Sequence, residues 1–157
     1  MRKAAYFLLA FLMSCVFAAD RGEPILLSAD DKGVMLIFES KDCEYCERLK
    51  LDLEENAELA NLAKDFNVYR IDVNENNEYA LRDQKNVKDT LALRIALEAK
   101  EIPNVVIFDK YWNKIFQLPG YASPAQMSVF MGFVKGLNEG KYKIEQWREY
   151  LSQNGIL

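Results

Sequence analysis

Two cysteines separated by two residues, Cys43-Glu44-Tyr45-Cys46, stand between a stretch that reads as a buried strand and one that reads as a helix, and this junction constrains the fold more than any other feature. Upstream, Val34-Met35-Leu36-Ile37-Phe38 is a near-continuous apolar run bounded by Gly33 and by Glu39-Ser40. Such a run predicts a strand covered on both faces, as in a parallel sheet. Downstream, Leu49, Leu53, Leu59, Leu62, Ala63 and Phe66 recur mainly at three- and four-residue steps, which predicts helix from Cys43 to Phe66 with a break at Asn56.

The remaining chain extends this pattern. Val68 to Val73 alternates apolar and polar residues and predicts a second strand. Residues 74–88 (NENNEYALRDQKNVK) are polar and poorly periodic, and read as an excursion with one turn of helix. Asp89 to Lys100 also fits alternation, but its Ala, Leu, Arg, Glu and Lys content favours helix. Val105 to Phe108 and Lys114 to Leu118, joined by the turn at Asp109 to Asn113, predict a hairpin. Ser123-Pro124-Ala125-Gln126 opens a helix with a serine cap, proline in the first turn and glutamine in the capping-box place. Ile144 to Gln153 predicts a final amphipathic helix, its docking face formed by Trp147, Tyr150 and Leu151, while Trp112 caps the hairpin turn. The order strand, helix, strand, helix, strand, strand, helix implies an α/β fold: a central mixed sheet of about four strands, with a parallel βαβ unit completed by an antiparallel hairpin and flanked by helices.

The first twenty residues are an address rather than part of that fold. Met1-Arg2-Lys3 precedes the 16 uncharged residues Ala4 to Ala19, which end in small side chains before Asp20. This is the layout of a secretory signal, and it is short for a membrane-spanning helix, which needs about 20 apolar residues. Val16-Phe17-Ala18 suits cleavage after Ala18, giving a leader at 1–18 and a single domain at 19–157. Leu12-Met13-Ser14-Cys15 offers the alternative of a lipobox, which would leave Cys15 as a lipid anchor. The expected location is the periplasm. Cleavage after Ala18 removes two of the 20 basic residues, so the net charge of −4 becomes −6. An acidic chain is a poor match for nucleic acid, whose binders carry basic patches.

The cysteine pair carries the chemistry. A thiolate, not a thiol, attacks a disulfide, and the unpaired N–H groups at a helix N-terminus stabilise that anion, the first cysteine gaining most. Two intervening residues place both sulfurs on one turn, so Cys46 can expel a partner from a mixed disulfide on Cys43. Two other assignments stay open. Half of a zinc site would need further ligands, but the chain has no histidine and its third cysteine, Cys15, lies in the leader. A structural staple closing so short a loop would remove little unfolded-state entropy. The absence of histidine also excludes Ser-His and Cys-His pairs and a C-x-x-C-H haem attachment. No cofactor and no metal are expected.

The strand VMLIF leading into CEYC, the strand VYRIDV, and Ile102-Pro103 entering VVIF before a hairpin and Gly120 together resemble the thioredoxin superfamily, over roughly Gly33 to Phe133. The resemblance implies a thioredoxin fold and a cis peptide at Ile102-Pro103 packed against the dithiol. It further implies that the backbone of Ile102 pairs with an extended substrate, a small case of strand addition. Within the superfamily, the C-x-Y-C dithiol and the Leu-Pro-Gly-Tyr element are similar to those of exported bacterial proteins that serve sulfur oxidation or cytochrome c maturation. The sequence departs from thioredoxin itself at Asp42, where tryptophan precedes the first cysteine, and at Ile37, which occupies the place of a buried proton-shuttling aspartate. Glu39, nearer the strand end, is the candidate proton acceptor for Cys46.

The expected activity is thiol–disulfide oxidoreduction on exported, disulfide-containing partner proteins, with Cys43 attacking and Cys46 resolving. Tyr45 and Glu44, in the intervening dipeptide, are expected to meet substrate together with Ile102 and Pro103. Asp42, Glu44 and Glu47 oppose a thiolate and Arg48 and Lys50 offset them only partly, so a reductant or exchanger is favoured over a strong oxidant. Such a protein needs recharging by an upstream membrane dithiol donor. A disulfide oxidase or isomerase, and a binding or chaperone module with an inert disulfide, are the alternative readings. Glu75 to Glu78 lacks the ligand spacing of a calcium loop and is expected to be solvated.

Overall fold

The computed structural model describes residues 22–81 and 86–157; the expected leader and cleavage site, and Cys15, lie outside the described residues. Strand β1 (Ile25–Leu27) is followed by β2 (Gly33–Glu39), helix α1 (Glu44–Glu55), helix α2 (Ala57–Leu62) and a 3₁₀ turn at Ala63–Asp65. Then come β3 (Phe66–Asp72), β4 (Glu78–Leu81), β5 (Val87–Asp89), α3 (Thr90–Ala96), β6 (Asn104–Phe108), β7 (Lys114–Pro119) and α4 (Pro124–Asn138). A 3₁₀ turn at Ile144–Gln146 leads into α5 (Trp147–Gln153).

The central sheet has the order β3-β2-β6-β7, with β2 parallel to β3 and the other neighbours antiparallel. The apolar run of β2 is explained by two separate cores. Met35 and Ile37 point to one face, where they join Leu49 and Leu53 of α1, Leu59 of α2, Met127, Met131 and Phe133 of α4, and Leu151 of α5. Val34, Leu36 and Phe38 point to the other, against Leu27, Ile71, Tyr79, Leu93 and Phe108. Because successive side chains of a strand alternate, only a strand buried on both faces can be apolar throughout.

Local signals account for the helices that cover the first face. Asn56 ends α1 and starts α2: its side-chain oxygen accepts the N–H of Glu58 and of Leu59, both at 3.1 Å. At α4, Ser123 and Gln126 form the reciprocal capping box and Pro124 occupies the first turn. Phe116 receives Trp147 edge-on, and Tyr150 packs on Phe133, which docks the last helix. Trp112, at φ +66°, lies over Phe108 beside the hairpin turn.

Two expectations require correction. Helical periodicity extends to Phe66, but Phe66 opens β3, directly opposite Gly33 in the parallel register. A Cβ at position 33 would stand 2.5 Å from the Phe66 ring, so the aromatic residue closes the sheet under a glycine rather than ending a helix. The described residues of 74–88 form strands rather than a helical turn: β4 pairs in parallel with β1 and antiparallel with β5, forming a second sheet of order β1-β4-β5. Backbone pairing, with Tyr79 and Ala80 buried behind it, makes strands of a sequence that lacks β-periodicity. In the stretch Glu75 to Glu78, Glu75 and Asn76 are exposed, Glu75 pairing at the surface with Lys41 at 2.9 Å, while the N–H of Asn77 donates to Thr90 Oγ1 at 3.2 Å.

Candidate active site

The chain leaves β2 at Glu39 and turns through residues 40–42 into α1. Cys43 is the N-cap of that helix, in an extended conformation (φ −106°, ψ 105°), and its carbonyl accepts the N–H of Glu47 at 3.1 Å. The N–H of Cys46, in the first turn, is shared between the Cys43 carbonyl at 3.1 Å and the Cys43 Sγ at 3.2 Å. The two cysteines are joined in a disulfide, their Cα atoms 5.2 Å apart. They differ in access: Cys43 is half-buried, whereas Cys46 is 2% exposed and begins the buried stripe Cys46, Leu49, Leu53 of α1. An incoming group therefore meets Cys43 first.

The second wall comes from β6. Pairing of Phe38 with Asn104 puts Pro103 level with Glu39, at the end of the sheet from which the dithiol loop springs. The Ile102–Pro103 peptide bond is cis, Pro103 is buried and Ile102 half-buried. The loop before it is held by side chains: Arg94 donates to the carbonyls of Ala99 and Lys100, both at 3.2 Å, and Gln117 Nε2 donates to that of Leu97 at 2.9 Å. After β7, the N–H of Gly120 donates to the Pro103 carbonyl at 2.8 Å. Gly120 has φ +83°, a left-handed conformation that a residue with a Cβ rarely adopts.

That turn carries Tyr121 onto α1. The Tyr121 ring lies 5.8 Å from that of Tyr45, the Arg48 guanidinium stands over it at 5.2 Å, and its hydroxyl donates to Asp52 at 2.6 Å. The bond to Asp52 raises the Tyr121 pKa above its ordinary value, helped by desolvation. Tyr45 is 58% exposed, and Glu44 and Asp42 are exposed beside it. Sequence reasoning saw Tyr121 only within a Leu-Pro-Gly-Tyr element and missed its contacts with the helix. Their spacing, Tyr45, Arg48 and Asp52 on one side of α1, is the signal that could have shown it.

Behind the dithiol, a cavity of about 540 Å³ is lined by Cys46, Glu39, Lys41, Arg70, Asp72 and Tyr79, among others. Glu39 thus shares a wall with Cys46, and its carboxylate is engaged by Arg70, whose Nε donates at 2.9 Å and whose Nη2 makes a second, closer contact. Lys41 lies between Glu75 at 2.9 Å and Asp72 at 3.8 Å. Those carboxylates raise the Lys41 pKa, and the Lys41 and Asn77 hydrogen bonds lower that of Glu75. Ile37 is wholly buried in the helical core, so no carboxylate stands at that position. Among the described residues, no three Cys, Asp or Glu side chains gather as a metal cage.

Comparison with known proteins agrees with this geometry. A thioredoxin-fold protein from Helicobacter pylori superposes with a TM-score of 0.67 at 26% identity, covering 82% of this chain and 88% of its own. A mutant thioredoxin from Halobacterium salinarum gives 0.51 at 20% identity, over 72% of this chain and 91% of its own. Mitochondrial thioredoxin 3 from Saccharomyces cerevisiae gives 0.50 at 15% identity, over 70% and 94%; these last two show the shared fold alone. No curated protein matches the sequence. The Thioredoxin-like domain family matches residues 23–135, a span that takes in the whole four-stranded sheet, the dithiol helix and the cis-proline loop, and the chain therefore belongs to that family.

Proposed function

We propose that the protein is an exported thiol–disulfide oxidoreductase that reduces or exchanges disulfides in partner proteins of the periplasm. The observation that carries this reading is the asymmetric disulfide: a reachable Cys43 at a helix N-cap bonded to a Cys46 that is 2% exposed. In the reduced protein, the Cys43 thiolate attacks one sulfur of a partner disulfide; a Cys43–partner bond forms and the partner's other sulfur leaves as a thiolate, which takes up a proton. Cys46 then loses its proton and attacks Cys43, re-forming the Cys43–Cys46 bond and releasing the second partner thiol. Two electrons and two protons pass to the partner.

Glu39, which shares the cavity with Cys46, is the acceptor for the proton Cys46 gives up. Ile102 and Pro103 flank the incoming partner strand, and Tyr45 and Glu44 meet it from the helix. Reduction is favoured over oxidation because Asp42 and Glu44 oppose a stable thiolate, and the nearby cations are engaged elsewhere: Lys50 with Glu47 at 3.9 Å, Lys41 with Glu75 and Asp72, and Arg48 over Tyr121. The resulting disulfide is reset by an upstream membrane dithiol donor. The signal at residues 1–18 supports export, with attachment through Cys15 as the alternative.

Trapping tests the mechanism. Cys46→Ser expressed in the native compartment should accumulate mixed disulfides through Cys43, released by dithiothreitol and absent from Cys43→Ser. If no adduct forms, exchange chemistry fails. Partner binding that survives in Cys43→Ser would then favour a binding or chaperone role with an inert disulfide.

A further inference from the structure

We infer that Tyr45, braced by Tyr121, forms an aromatic wall beside Cys43 that selects disulfides whose cysteine is flanked by a basic residue. This rests on the proposed exchange chemistry and names the class of partner it serves. Tyr45 lies between the two cysteines in sequence and is 58% exposed, so its ring is open to a polypeptide that brings a sulfur to Cys43. Tyr121 holds that ring at 5.8 Å, and Tyr121 is itself fixed by its hydrogen bond to Asp52 and by the neighbouring Gly120, tied to Pro103. The wall therefore links α1 to the turn after β7, which is itself tied to the cis-proline loop.

Charge decides what the wall takes. From Asp42 to Asp52 the chain carries four acidic and two basic residues. Both bases are committed: Arg48 lies over the Tyr121 face, next to Asp52, and Lys50 lies beside Glu47 at 3.9 Å. Asp42 and Glu44, on either side of Cys43, have no hydrogen-bond or ion-pair partner among the described residues. An exposed aromatic face flanked by two unmatched carboxylates is complementary to a guanidinium or ammonium, which gains both from the ring quadrupole and from the negative charge. Arg48 over Tyr121 shows the same contact made within the chain. An acidic flank would meet Asp42 and Glu44 at close range and be repelled.

The test uses two synthetic peptide disulfides, identical except for Arg or Glu next to the cysteine, and the reduced full-length protein. At low salt the Arg peptide should be reduced with a kcat/KM about five- to tenfold higher than the Glu peptide, the difference lying mainly in KM and shrinking as salt rises. Tyr45→Ala and Glu44→Gln should each bring the ratio close to one. Tyr121→Phe, which keeps the ring but loses the hydrogen bond that ties it to Asp52, should lower the ratio by a smaller amount. The wild-type ratio decides the matter even where a variant fails to fold. Equal rates for the two peptides, or a preference for Glu, would overturn the inference while leaving the exchange chemistry standing; reduction of neither peptide would remove both together.

Discussion

The two sheets of this protein are built on opposite terms. In the four-stranded sheet, β2 and β6 are almost wholly buried, each face having its own apolar cluster. In the three-stranded sheet, β5 is largely exposed, and Ile25 and Leu26 of β1 are 45% and 48% exposed. The first is held by burial of side chains and the second mainly by backbone pairing, with Tyr79 and Leu27 as its anchors in the shared core. The dithiol cavity lies between them, lined by Glu39 and Arg70 from one sheet and by Ile25 and Tyr79 from the other. The large sheet thus supplies a rigid end on which the cysteines and the cis-proline loop are set, and the small sheet closes the space behind the buried sulfur.

Substitutions can break this contrast. Phe38→Ala in the large sheet removes a wholly buried ring from the core that both sheets share and should cost about 3–5 kcal/mol. Val87→Ala in the small sheet alters a residue that is 40% exposed and should cost no more than about 0.5 kcal/mol. Urea denaturation of the disulfide-intact proteins measures both, and comparable losses would mean that the small sheet carries load of its own. At the boundary between the sheets, Glu39→Gln leaves a polar group in the cavity that Cys46 lines but takes away the carboxylate proposed as proton acceptor. Release of a trapped peptide by Cys46 should slow by about tenfold or more, without loss of the Cys43 attack. An unchanged release rate would leave Glu39 as a structural partner of Arg70 only.

The smallest effect sharpens the view of the helical face. Glu139, at the C-terminus of α4, lies between Lys135 at 2.7 Å and Lys141 at 2.6 Å, and hydrogen bonds from these two ammonium groups lower its pKa to about 2. The folded value lies below the ordinary carboxylate value, so the stabilisation is present in full above about 4.5 and is lost as the pH falls towards 2. The group is well solvated, so the effect should be slight and should fade in salt. In low salt, Glu139→Gln should flatten the acid limb of stability between those pH values; an identical limb in the two proteins would show the pairs to be without consequence.

What could be read in advance follows the same division. The two-faced strand at Val34 to Phe38, the break at Asn56 and the capping box at Ser123 are local patterns, and each stands where the residues put it. The strands β1, β4 and β5 were not legible, because each is only three or four residues long, too short for a periodicity, and the sheet is joined by the pairing of β1 with β4, which are distant in sequence. Phe66 was misassigned for a related reason: its helical spacing is real, but Gly33 on the neighbouring strand leaves room for its ring there. In the site, the two cysteines and Pro103 were visible as a motif, whereas Tyr121 was not, since nothing in its own neighbourhood says that it will lie along α1.

The sequence by itself determined the succession of the four central strands and the helices between them, the dithiol at a strand-to-helix junction, and the membership of the chain in the thioredoxin-like family, because these depend on residue types at short spacing. Only the tertiary structure decided which cysteine is shielded, that Glu39 is engaged by Arg70 while sharing a cavity with Cys46, and that Tyr121 braces Tyr45. Each of these depends on the strand register or on a loop closing over a helix, and such long-range contacts are set by how the two cores pack together rather than by any local run of residues.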